Sequence, residues 1–148
     1  KRSISFNSSP VETPFSLYRK MTTRTWSCMC KTFEAEVTGD PAFACWCHCE
    51  ECRVQTGAPM QLAVWTPDNF KVNKGDDTLI KYASSENVSR NSCSKCGSFC
   101  YKNLPNGALA VPTGALTPAV LPSCNIFCGD KGEHKIMEPS LPCHDKMP

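Results

Sequence analysis

No run of about 18 apolar residues occurs in the 148-residue sequence, so a membrane-spanning helix is not expected. The first twenty residues lack the apolar core of a secretory signal. No internal repeat or low-complexity tract follows them, which argues against a solenoid. Apolar residues nowhere hold a 3.6-residue period through three turns, so helix should be a minor component. A large charge excess is missing too. The net charge is +2, and Lys1, Arg2, Arg19 and Lys20 outweigh Glu12 by three within the first twenty residues, which leaves the body one negative charge in excess. Such a body lacks the basic surface that phosphate backbones require, so nucleic acid is not an expected partner, nor is a membrane.

What is present reads as one domain. Hydrophobic residues at 41% and charged residues at 20% match an ordinary globular chain, and the length suits a single core. The Ser-, Pro- and base-containing start reads as a flexible extension over residues 1–21, ahead of a domain over 22–148. A targeting role for residues 1–20 is the less favoured reading. Phe33, Ala35 and Val37 alternate with Glu34 and Glu36 before the turn signal Thr38-Gly39-Asp40-Pro41, as a half-buried strand followed by a turn does. Similar short segments begin at Ala42, Met60, Thr78, Phe99, Leu109 and Asn125, so a mainly β domain is expected. From Val111 onward the prolines 112, 118, 122, 139, 142 and 148 each remove a backbone donor, which predicts an irregular Pro-rich tail.

The twelve cysteines decide the chemistry. Cys45, Cys47, Cys49 and Cys52 crowd too closely for all to pair as disulfides, so thiolate ligation of metal is the better explanation, and with it a reducing, cytoplasmic compartment. Cys28 and Cys30 with Cys93 and Cys96 supply four thiolates from two distant loops, a donor set that suits a closed structural zinc; free buried thiols are the alternative. In Cys47-His48-Cys49-Glu50-Glu51-Cys52 an extended C-x-C places two sulfurs on one face, and the C-x-x-C turn adds a third. Three protein ligands leave a position for water or a substrate thiol, the arrangement of catalytic zinc. The alternative is a closed site with Cys45 as fourth ligand. His48 should face away from the sulfurs and be packed or hydrogen-bonded, while Glu50 and Glu51 receive no catalytic assignment. Thr56-Gly57 reads as a turn whose backbone donors are candidates for binding the thiol substrate. Trp46 and Trp65 are pocket or core residues, and Cys100, Cys124, Cys128 and Cys143 are expected to be ordinary thiols.

The order C-x-C, C-H-C-x-x-C-R, Thr56-Gly57-Ala58-Pro59 and Ser92-Cys93-Ser94-Lys95-Cys96-Gly97-Ser98 resembles the glutathione-dependent formaldehyde-activating enzyme family, also called the centromere protein V type of domain. The likeness runs from about Trp26 through Asn69-Phe70 and Gly75 to Leu141-Pro142 and Met147-Pro148. It implies a tent-like β fold, two zinc ions per chain and chemistry on the carbon-sulfur bond of a glutathione adduct. Its structural ligands would be Cys28, Cys30, Cys93 and Cys96, and its catalytic ones Cys47, Cys49 and Cys52. The sequence departs from the family in having Lys31 where Gly commonly follows C-x-C, and Glu133-His134 where the tail commonly has an aromatic. The expected function is a zinc-dependent carbon-sulfur lyase or synthase of the S-(hydroxymethyl)glutathione synthase type, acting on glutathione or another small thiol. The alternative is a non-catalytic zinc-stabilised binding module with the second site closed by Cys45.

Overall fold

The computed structural model describes residues 21–148, so the expected extension, apart from Met21, lies outside the described residues. The architecture is mainly β. Eleven strands run in chain order: β1 (Thr23–Ser27), β2 (Glu34–Thr38), β3 (Phe43–Cys47), β4 (Met60–Trp65), β5 (Phe70–Lys74), β6 (Leu79–Ser85), β7 (Val88–Cys93), β8 (Phe99–Asn103), β9 (Leu109–Pro112), β10 (Cys124–Ile126) and β11 (Cys143–His144). The single α-helix among the described residues, α1 (Glu50–Thr56), follows β3. Strands β1-β2-β5 form a small sheet, and β11-β10-β3-β4-β9-β8-β7-β6 form a large one. No helix among the described residues is long and apolar enough to cross a membrane.

The alternation in β2 works as the sequence predicts. Ala35 and Val37 are buried, whereas Glu34 and Glu36 meet Lys74 at 3.0 Å and Lys71 at 3.4 Å on the neighbouring β5. Such exposed pairs contribute little; the inward face carries the energy. Phe33, with no exposed surface, packs with Trp26, Phe70 and Tyr101 between the two sheets, a burial that stabilises the fold by about 2–3 kcal/mol for this side chain.

β4 reads Met-Gln-Leu-Ala-Val-Trp with little alternation because both of its faces are covered. Ala63 and Trp65 enter the core beneath the small sheet, whereas Met60, Leu62 and Val64 enter a second core on the opposite face. That second face carries the candidate site. Across it, one rung of neighbouring residues runs Phe43, Val64, Ala110, Lys102, Arg90 and Tyr82 through six successive strands.

The C-terminal segment departs from the expected irregular tail. Ser123 to Phe127 is free of proline and keeps its backbone donors, so β10 enters the large sheet beside β3 in parallel register, Cys124 opposite Cys45 and Ile126 opposite Cys47. Pro112 ends β9 and the later prolines fall outside the strands, and Pro142 still serves as acceptor for the Asn125 N–H at 2.7 Å. A second correction concerns Cys128 and Cys143, which are joined in a disulfide rather than left as thiols. The parallel pairing of β11 with β10 brings two residues 15 positions apart to one place.

A bridge closing a loop of that size stabilises by about 3 kcal/mol. Cys143→Ser should therefore lower the unfolding free energy by about 3 kcal/mol in urea denaturation of the metal-loaded protein; an unchanged midpoint would contradict the assignment.

Candidate metal centre and adjoining cavity

Two turns meet to form the first sulfur group. Cys28 and Cys30 lie in the connection from β1 to β2; Cys93 ends β7 and Cys96 lies in the turn to β8. Their four sulfurs lie within 4.8 Å of one another. Local backbone bonds hold each turn. The Lys31 N–H donates to the Cys28 carbonyl at 3.0 Å, the Gly97 N–H donates to the Cys93 carbonyl at 2.9 Å, and the Phe33 N–H donates to the Cys28 sulfur at 3.3 Å. Hydrogen bonds from the Ser98 side chain and backbone pull the Cys96 thiol down to about 5, towards the thiolate that a metal requires. Both turns use left-handed backbone, at Gly97 with φ +71° and at Lys31 with φ +59°. Lys31 thus occupies a conformation that a glycine would adopt without penalty.

The second group is local in sequence. Cys47 ends β3, Cys49 caps the N-terminus of α1 and Cys52 lies in its first turn. The expected C-x-x-C turn is the start of a helix, closed by the Arg53 N–H donating to the Cys49 carbonyl at 3.2 Å. The three sulfurs lie within 4.8 Å of one another, and Cys45 is not part of the group. Its thiol is pushed up to about 12, chiefly by burial. His48 faces away, fully buried, with Nε2 at 3.0 Å from the Asn125 Oδ1.

Within the trio the protons are unevenly shared. Cys52 accepts from Cys47 and Cys49 and is pulled down to about 2, with the charges of Lys102 and Arg90 adding to the effect. Cys47 is pushed up correspondingly, because its thiol is the donor in bonds to Cys49 and Cys52 and is buried. The Lys102 Nζ donates to the Cys52 sulfur at 3.6 Å from a site only 8% exposed. A buried ammonium of this kind requires an anionic partner, and here the partner is a thiolate.

Cys47 and Cys49 of the trio, with the neighbouring Cys45, line a cavity of about 640 Å³, while Cys52 is buried behind them. Its sheet wall is the Phe43-to-Arg90 part of the rung, apolar at β3, β4 and β9 and cationic at β8 and β7. Arg90 is held by Glu51 at 2.7 Å, Gln55 at 2.6 Å and Ser84 at 3.2 Å. Glu50 lines the same wall without a partner among the described residues.

Thr56 and Gly57 do not line this cavity. The Thr56 hydroxyl donates to the carbonyls of Cys52 and Ala58, and the Gly57 N–H closes the helix on Arg53, so their donors are engaged internally rather than offered to a substrate. Trp65 belongs to the opposite core, and Trp46 lies outside the cavity wall. Cys100 and Cys124 are buried thiols, as expected. Sequence reasoning missed Arg90 and Lys102. The available signal was a charge within a strand segment, as Lys102 is within Phe99–Asn103; the irregular register at Cys100 hides which face it takes.

Fold and site together define a mainly β protein with two cysteine groups able to hold zinc. The sequence profile of the family described as glutathione-dependent formaldehyde-activating enzyme matches residues 23–130, and the chain belongs to that family. A crystal structure of a Rhodobacter sphaeroides protein superposes with a TM-score of 0.56 at 20% identity, covering 80% of this chain and 98% of that one, a likeness that speaks for the fold. No curated protein gives a significant match.

Lys31→Gly should stabilise the metal-loaded protein by about 0.5–1 kcal/mol, since it relieves left-handed strain while losing one exposed bond from Lys31 Nζ to Ser27. Equilibrium denaturation reads this directly, and a loss of stability would show that the side chain matters more than the backbone.

Proposed function

We propose that the chain is a zinc-dependent carbon-sulfur lyase or synthase acting on an adduct of glutathione or another small thiol. The observation that carries this reading is a three-sulfur group, two of whose members line a cavity, beside a separate group that has four sulfurs of its own. The donor chemistry fits zinc at both places, two ions per chain, held structurally by Cys28, Cys30, Cys93 and Cys96 and catalytically by Cys47, Cys49 and Cys52. A zinc ion at the trio supplies Lewis acidity, which lowers the pKa of an incoming thiol at neutral pH. The seven thiols kept as ligands suit a compartment as reducing as the cytoplasm, with Cys128–Cys143 the one oxidised pair among the described residues.

The remaining work falls to the chain's own residues. Lys102, fixed beside Cys52, offsets negative charge that accumulates when a further sulfur approaches. The thiol sulfur adds to a carbonyl carbon, and the proton it loses ends on the carbonyl oxygen; the lyase direction is the reverse. Glu50 is the unpartnered carboxylate on the cavity wall and is assigned that proton transfer. The Arg90 guanidinium holds Glu51 and Gln55, which fixes the exposed side of α1 against the sheet. Cys47 and Cys52 are buried and Cys49 is half-buried, which strengthens the charges around them.

Metal analysis combined with turnover tests the proposal. Cys52→Ala should lose one zinc and all acceleration of glutathione-aldehyde exchange in NMR, Cys45→Ala should keep both ions, and Glu50→Gln should keep both ions yet slow exchange about a hundredfold. Loss of one zinc from Cys45→Ala would instead favour a closed, non-catalytic module.

A further inference from the structure

The cavity is far larger than a one-carbon aldehyde needs. Such a molecule is close to water in size, whose share of liquid volume is about 30 Å³, whereas the cavity, which must also seat the thiol, measures about 640 Å³, so the character of its walls carries the distinction. Most of that space is bounded by apolar side chains. Phe43, Leu62, Val64 and Ala110 form the wall on β3, β4 and β9, and Ile126 and Phe127 close it from the side of β10.

Two cations stand at the other end and are already engaged, while Glu50, Asn106 and Asp130 add the remaining polar side chains of the lining. Lys102 is paired with the Cys52 sulfur at 3.6 Å, and Arg90 with the Glu51 carboxylate at 2.7 Å. Neither cation is left over for a substrate carboxylate deep in the cavity. Water filling the apolar part would find few hydrogen-bond partners there. A hydrocarbon chain or ring, by contrast, would exchange water for matching walls, at a gain that grows with each methylene.

We infer that the electrophile of this enzyme is an aldehyde carrying an apolar chain or ring. This rests on the thiol-addition reading and names its substrate class. The carbonyl carbon lies at the Cys52 and Lys102 end, and the chain extends along Phe43, Val64 and Ala110. The thiol sulfur forms a bond to the carbonyl carbon, the C=O π pair moves to oxygen, and the thiol proton ends on that oxygen. No oxidant or reductant takes part.

A homologous series of straight-chain aldehydes from methanal to octanal, each mixed with glutathione and the zinc-loaded protein, tests this by exchange-resolved NMR. The expected kcat/KM rises about fourfold per added methylene until the cavity is filled. A flat series, or methanal as the best substrate, would overturn the inference while leaving the lyase reading intact. Occupancy is read separately with the unreactive alcohols from methanol to octanol, titrated into isotope-labelled protein. Affinity should again climb about fourfold per methylene, with shifts centred on Val64, Ala110 and Ile126. Absence of those shifts overturns the inference. If the alcohols bind in that pattern but no aldehyde, methanal included, is turned over, the carbon-sulfur reading fails and the apolar site stands. Ala110→Leu, and Val88→Trp on a less buried part of the wall, should each shorten the preferred chain; an unchanged optimum in both folded variants would place the chain elsewhere.

Discussion

Sulfur atoms brought within a few ångströms of one another are unfavourable neighbours unless something resolves their lone pairs and protons, and this fold assembles seven of them in two groups. In the first, cysteines 63 positions apart are drawn together, so the β1–β2 and β7–β8 turns are tied and the small sheet is fastened to the large one. In the second the sulfurs come from a single strand-to-helix junction, so little topology is crosslinked. In the function proposed above, that difference separates a group whose effect is on stability from one whose effect is on chemistry. A domain of this size, with short strands, gains from a metal crosslink of the first kind.

The second group is positioned by the large sheet having two buried faces. One face meets the aromatic cluster under the small sheet; the other carries the rung from Phe43 to Arg90 and the cavity. Along that rung the environment passes from hydrocarbon to buried cations within a few strands. Lys102 and Arg90 are tolerated because each faces an anion, the Cys52 thiolate and the Glu51 carboxylate. The charges thus hold the Cys52 sulfur in place, and the apolar stretch beside them lines the cavity.

Much of this was legible in the cysteine spacing and in the period-2 pattern. Cys28-x-Cys30 with Cys93-x-x-Cys96, and Cys47-x-Cys49-x-x-Cys52, are the same sets that the fold gathers, because ligand spacing is imposed by local geometry that sequence records. Phe33, Ala35 and Val37 announced β2 for the same reason. What failed depended on contacts distant in sequence. β7, Val-Ser-Arg-Asn-Ser-Cys, is a strand because it lies between β6 and β8, and its buried Arg90 and Asn91 hide any apolar alternation. The Cys128–Cys143 bridge depends on the parallel docking of β10 and β11, which proline counting argued against. Thr56-Gly57 carried a turn signal correctly, yet the turn is a helix cap whose donors are engaged within the chain.

Zinc-edge X-ray absorption of the purified, reduced and folded protein addresses the central claim most directly. Seven sulfurs shared by two ions predict an average of 3.5 sulfur ligands per zinc, at about 2.3 Å, with the remaining scatterer light and exchangeable. A shell dominated by nitrogen or oxygen, or a folded protein with no zinc at all, would contradict it.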